Sequence, residues 1–229
     1  MQRGKIEPNA EVEENRRRFL STTGLTTDTI ALVNIRYGVD YTYDVIETIT
    51  SRAETTNLHR FKLQASDCII TNQPKVTLFL PVADCVATVV HDPVHNVIAL
   101  AHLGRHSSVA KLANKLVERL EKDFRSKPED LIIWMSPAIK PPHYTIERAD
   151  FAANNSDWDK YCVKTDSGYS LDLQGYNRQL FINSGVLDKN IHISDVDTAT
   201  DENYWSHFTS VTVQGELQPP RFTVIASLV

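Results

Sequence analysis

The chain has 229 residues, enough to bury a substantial core and within reach of one domain. Its formal net charge of -5 comes from interspersed charges of both signs, which argues against nucleic acid or an anionic membrane as a partner. There is no apolar run of about eighteen residues and no signal-peptide pattern, because Met1 to Asn9 is polar throughout; the expected location is the cytoplasm. Cys68, Cys85 and Cys162 form no CxxC pair and are expected as free thiols.

Residues 1–10 are expected to be loose. Glu11 to Thr22 then reads as a helix ending near Gly24, with Arg16-Arg17-Arg18 as its solvated face. Ile30 to Tyr37 predicts a first buried strand, and the β-rich Val39 to Thr50 a second. Ser51 to Gln64 is polar and charged, and its His59 reads as a surface residue.

The centre of the chain is apolar and β-branched from Val76 to Val82, from Val86 to His91 and from Val97 to His102. Asp92-Pro93-Val94-His95 has turn composition, so the pattern predicts strand, kink and hairpin. Apolar content this continuous predicts strands covered on both faces. With residues 92–95 as the loop, His91 faces Asn96, and counting back puts Cys85 opposite His102. Such partners have Cβ atoms about 5 Å apart, close enough for a thiolate and an imidazole to share one metal ion. A one-residue slip would spoil this. The same residues can equally be a small core cysteine and a hydrogen-bonded core histidine.

Next, Ser107 or Ser108 can cap a helix whose Val109, Leu112, Leu116, Leu120 and Phe124 fall at helical spacing. That helix begins just past His102, with Gly104 allowing a tight turn. The N–H groups of its first turn, with Arg105 and a protonated His106, make a candidate anion site; an ordinary loop with a solvated arginine is the alternative. Leu131 to Met135 predicts another strand, ending in Ser136-Pro137 and the Pro141-Pro142 turn before His143 and Tyr144. Phe151 to Tyr161 reads as partly helical, and Asp172 to Ser184 as a helix with Leu173, Tyr176, Leu180 and Phe181 inward. Ile191 to Val196 and Arg221 to Leu228 close the chain as strands. No internal repeat, P-loop, G-x-G-x-x-G or G-x-S-x-G is present.

The order Ala83-Asp84-Cys85, hairpin, Ala101-His102-Leu103-Gly104, helix, Trp134-Met135-Ser136-Pro137-Ala138-Ile139 and His143-Tyr144 resembles the YfiH or laccase-domain family. Glu11 to Phe19, Asp67-Cys68-Ile69-Ile70-Thr71, Asn177-Arg178-Gln179-Leu180 and Gly185-Val186 are similar to further motifs of that family, so the likeness spans roughly residues 11–229. The resemblance implies an α+β fold of four layers, α/β/β/α, of the YfiH-like (CNF/YfiH-like) type, in a single domain over residues 11–229. It also implies phosphorolysis of purine nucleosides, with adenosine deamination and methylthioadenosine cleavage as related activities. The implied partners are a purine nucleoside and phosphate.

The family's zinc is held by the histidine of a QVHG motif, the ADC cysteine and the histidine of HAGWRG. Cys85 and His102 match two of these, whereas Ile35-Arg36-Tyr37-Gly38 puts Tyr37 at the third. Two protein ligands are fewer than a catalytic zinc uses, and His91, His95, His106 or His143 would have to supply the missing one. Arg105 and His106 replace the family's Trp-Arg, Ser136 replaces a glycine, and the family's early Arg and Gly-Gly segment has no counterpart before Glu11. The resemblance makes Asp84, Cys85 and His102 the catalytic set. Arg105 and the helix start would receive phosphate, and Asp84 would orient His102 or hydrogen-bond ribose, unless it is a turn residue. Tyr37, His106, His143 and Tyr144 would contact the nucleoside, although Tyr144 can equally be a core aromatic. The other reading is a catalytically silent relative that binds a nucleoside or a protein partner. A copper-dependent phenol oxidase would need more gathered histidines than eight scattered ones supply, and a cysteine hydrolase lacks an evident orienting acid.

Overall fold

The computed structural model describes residues 10–25, 29–55, 65–153, 155–213 and 220–229. In chain order, helix α1 (Ala10–Thr22) precedes strands β1 (Ile30–Leu32), β2 (Ile46–Ile49), β3 (Cys68–Thr71), β4 (Thr77–Val82), β5 (Val86–Asp92) and β6 (Val97–Leu103). Then come α2 (Arg105–Val109), α3 (Leu112–Phe124), β7 (Ile132–Met135), β8 (Thr145–Ile146), β9 (Cys162–Thr165), β10 (Gly168–Leu171), α4 (Leu173–Asn183), β11 (Ile191–Ile193) and β12 (Phe222–Ser227). None of the described helices is long and apolar enough to cross a membrane.

Alternation along β6 shows how the layers arise. Val97, Ala99, Ala101 and Leu103 face one way, into a core with Leu112, Leu116 and Leu120 of α3 and Tyr176, Leu180 and Phe181 of α4. Ile98 and Leu100 face the other way, against Leu78, Leu80 and Val82 of β4 and Val224 and Ala226 of β12. Every residue of β6 is buried, as its continuous apolar run requires. β6 lies within a six-stranded sheet ordered β11-β7-β5-β6-β3-β2, and the strands on its second face form a three-stranded sheet ordered β1-β4-β12. On the outer side of that smaller sheet, Ile30 and Phe79 pack beneath Leu20 of α1. The layers therefore run helix, sheet, sheet, helices, which is the expected four-layer α+β arrangement. Burying one leucine contributes about 1.5–3 kcal/mol, so the three leucines of α3 anchor it by packing rather than by helix propensity.

Several elements differ from their sequence-based expectation. Ile30 to Tyr37 is a strand only over Ile30–Leu32, since β1 is an edge strand paired to β4 alone. Val39 to Thr50 is a strand only over Ile46–Ile49. Before it the backbone turns, with Tyr43 left-handed (φ 60°) and its hydroxyl accepting from the Gly38 N–H at 3.1 Å. Arg16 is only half-exposed, its guanidinium 5.4 Å over the Phe79 ring, while Arg17 and Arg18 are exposed and pair with Glu14. The central helix starts at Arg105, before either predicted cap, and breaks at left-handed Lys111 (φ 57°) before α3. Ser107 and Ser108 bond backward instead, to the carbonyls of His102 and Gly104. The hairpin β9–β10 and the small sheet β8-β10-β9 were not anticipated; their signal was the short turn between Thr165 and Gly168. His59 and residues 1–9 lie outside the described residues.

The hairpin register also differs. Asp92 stays in β5 and pairs with Val97, so the loop is Pro93 to Asn96, with Asn96 left-handed (φ 53°). Ala87, not Cys85, lies opposite His102. The cause is local: the Asp92 carboxylate accepts the Val94 and His95 N–H groups and closes the turn one residue later. Because Cys85 is two residues from Ala87, the shift moves it diagonally without flipping its face.

Candidate functional site

Cys85 sits at the corner between β4 and β5, and His102 near the end of β6. The His102 backbone N–H donates to the Asp67 carbonyl of β3's approach at 2.8 Å, which fixes the ring's position along the sheet. What brings the two side chains together is Gly104. A Cβ built there would lie 2.9 Å from His102 Cε1, 3.0 Å from His102 Nε2 and 3.1 Å from Cys85 Sγ. Sulfur and ring nitrogen thus border one small space, and a Cβ at position 104 would press on both.

That space opens into a pocket of about 140 Å³ lined by Tyr37, Tyr43, Cys85, His102, Gly104, Arg105, His106, Ser107 and Tyr144. Of the residues singled out in the sequence, Tyr37, Cys85, His102, Arg105, His106 and Tyr144 meet here. Asp84 and His143 line it with no atom. Another hollow, between Asp44, Lys115, Arg119 and Lys122, is an open groove of charged side chains elsewhere.

Asp84 has a different task from orienting His102. Its backbone is left-handed (φ 74°), and its carboxylate accepts from Thr198 Oγ1 at 2.6 Å, Ser206 Oγ at 3.1 Å and the Phe208 N–H at 2.7 Å. His102 Nδ1 has no hydrogen-bond partner among the described residues, so the ring lacks an orienting acid. His143 Nδ1 hydrogen-bonds to the Asp197 carboxylate, which accepts, at 2.7 Å. The loop from Asp197 to Phe208 therefore holds both residues that precede pocket-lining ones, Asp84 before Cys85 and His143 before Tyr144. Sequence reading missed this strap, because the bonds join positions more than fifty residues apart.

Electrostatically the pocket is a set of neutral donors among cations. Burial, then the Asp84 charge, push the Cys85 thiol up to about 12 against the opposing pull of Arg105 and Arg221, so it is protonated at neutral pH. Burial, helped by His106, pushes His102 down to about 4, leaving a neutral imidazole. Burial and then the Cys85 charge hold the Tyr144 phenol well above its ordinary value. His106 is likewise lowered, by burial first and Arg105 second. Its ring stacks on Tyr43 with centroids 4.5 Å apart and planes 18° from parallel, and meets Tyr37 edge-on at 6.1 Å. Tyr43 and Arg221 were not singled out in the sequence. The only local signals were an aromatic run and a charge just before the last strand.

A zinc ion would find two donors here, Cys85 Sγ and His102 Nε2. Among the described residues no group of three His, Cys, Asp or Glu side chains could hold a metal. His91 is six residues along β5 from Cys85, about 20 Å away. His95 is bonded to Asp92, and His143 to Asp197. The donor set does not fit a three-ligand catalytic zinc. The anion site expected at the helix start is reduced too, because α2 is a helix of only five residues.

Residues 3–218 match the family model described as multi-copper polyphenol oxidoreductase laccase. The purine nucleoside phosphorylase YlmD of Bacillus subtilis is 28% identical over 184 residues, 73% of this chain and 63% of that protein. A purine nucleoside phosphorylase of Deinococcus radiodurans is 28% identical over 181 residues, 77% of this chain and 64% of the relative. The match thus spans less than two thirds of these relatives' own length. The crystal structure of Bacillus licheniformis YfiH superposes with a TM-score of 0.86 at 23% identity, covering 99% of this chain and 85% of that one. YlmD of Geobacillus stearothermophilus superposes at 0.79 with 23% identity, over 95% and 80%.

Proposed function

Because the chain belongs to the multi-copper polyphenol oxidoreductase laccase family, with relatives named purine nucleoside phosphorylase, we propose that its pocket cleaves a purine nucleoside with phosphate. The observation that carries this reading is the convergence in one pocket of the Arg105 cation with the protonated phenols of Tyr37 and Tyr144. In phosphorolysis a phosphate oxygen bonds to C1′ as the C1′–N bond breaks. The bonding electron pair leaves with the purine, which takes up a proton. The reaction asks for a held anion, electrostatic stabilisation of a cationic sugar and a hydrogen-bond donor for the departing base. Arg105, with Arg221 also in electrostatic reach of Cys85, supplies the first. The tyrosine hydroxyls and the ring edge of His106 are donors and surfaces for ribose and base. Deamination would require a metal-activated water, for which two donors are too few. At about 140 Å³ the pocket is smaller than the roughly 300–1,000 Å³ of sites that enclose a whole ligand, so part of the nucleoside lies in its mouth.

The test is hypoxanthine release from inosine with and without phosphate. Phosphate-dependent release with ribose 1-phosphate as co-product is the expected result, and Arg105→Ala should lower kcat/KM by about 100-fold. Release that ignores phosphate refutes the reading. A second reading, a silent relative that keeps a nucleoside site, is favoured by the incomplete donor set. It gives nucleoside binding by calorimetry with no hypoxanthine at all.

A further inference from the structure

We propose that Cys85 and His102 form a metal-free thiol–imidazole pair, and that the phenol at Tyr37 is what keeps this pocket from being a zinc site. Two observations carry this. First, Sγ and Nε2 both crowd the space over Gly104, so two donors for one ion are already adjacent and lie on rigid strand ends. Second, the remaining candidates in the same pocket do not complete the set. His106 has its ring stacked on Tyr43, and Tyr37 presents a phenol, a poor ligand for zinc beside thiolate and imidazole. The pair instead lines the pocket as two adjacent side chains that share no ion. This inference is separate from the nucleoside reading, since metal content is measured without turnover.

The experiment measures zinc by mass spectrometry in the purified full chain, as isolated and after zinc loading and desalting, beside Tyr37→His and the double variant Tyr37→His/Cys85→Ala. Tyr37 is 60% exposed, so its replacement leaves the core intact. The wild-type chain is expected to stay far below one zinc per chain. Tyr37→His is expected to approach one per chain, with affinity raised by more than the roughly 10–100-fold that even an outer-shell partner is worth. The double variant should lose that zinc. In the cobalt-loaded Tyr37→His chain, a thiolate-to-metal absorption band would identify Cys85 as a ligand. Wild-type protein carrying one zinc per chain, removed by Cys85→Ala, overturns the proposal. So does a folded Tyr37→His chain that remains zinc-free, because position 37 then is not the gap. Chelator-resistant phosphorolysis would leave both conclusions standing, whereas a zinc-free chain with no phosphorolysis would sink only the nucleoside reading.

Discussion

Replacing Gly104 by alanine probes the corner on which the pocket depends. The new Cβ would sit 2.9 Å and 3.0 Å from His102 ring atoms and 3.1 Å from the Cys85 sulfur, distances at which neighbours must move. The backbone there (φ -83°) suits alanine, so the cost is steric alone. Overpacking of this kind costs about 1–3 kcal/mol. A compatible glycine-to-alanine change returns about 0.4–1 kcal/mol by restricting the unfolded chain. The net expectation is a loss of about 1–2 kcal/mol, which for a chain of this length lowers Tm by roughly 2–8 °C. Gly38→Ala is the control: it meets nothing within 4 Å and should be neutral or slightly stabilising. Thermal unfolding followed by circular dichroism reads both. Combining Gly104→Ala with Cys85→Ala should recover part of the loss, because removing the sulfur makes room, giving a coupling of about 0.5–3 kcal/mol. A Gly104→Ala chain as stable as Gly38→Ala, or a double variant whose losses simply add, would refute the claim that the two side chains meet over Gly104.

Asp84→Ala should cost about 3 kcal/mol or more in urea unfolding, because it leaves the Thr198, Ser206 and Phe208 donors unpaired and keeps a left-handed backbone. Asp84→Asn, which tolerates that backbone and keeps an acceptor, should cost less; equal losses would mean the carboxylate's bonds do not matter. The Asp92 carboxyl predicts a pH dependence. Burial works to raise it, but hydrogen bonds from the Val94 and His95 N–H groups and from the His95 ring hold it below the usual carboxylate value. A depressed carboxyl stabilises the fold above its unfolded value of about 3.9, and that share is lost as pH falls further through the native value. Tm profiles from pH 6 to 3 should therefore be flatter at the acid end for Asp92→Asn than for wild type, and parallel profiles would exclude this role.

Helix faces, the hairpin and the closing strand were legible in the chain because each rests on short-range periodicity. Leu112, Leu116 and Leu120 recur at helical spacing, and β6 is apolar throughout, so both elements announce which surfaces must be covered. The pairing of Cys85 with His102 was half legible: face parity survives a two-residue error, register does not, because one aspartate in the turn decides where the loop closes. Residues 37–43 read as β-rich but form a ring cluster, since propensity cannot register that His106, more than sixty positions on, will stack on Tyr43.

The sequence by itself determined the family, through the order of its motifs, and through that resemblance the layered architecture, while the apolar pattern determined which faces avoid water. Only the tertiary structure decided what the candidate site residues touch. Asp84 turned from a candidate orienting acid into the anchor of a distant loop, His143 followed it out of the pocket, and Tyr37 was left beside a thiol and an imidazole without a third metal donor. The reason is physical. Burial is a property each residue carries with it, whereas a hydrogen-bond partner or a coordination set exists only once chain segments far apart in sequence have been brought within about 3 Å of each other.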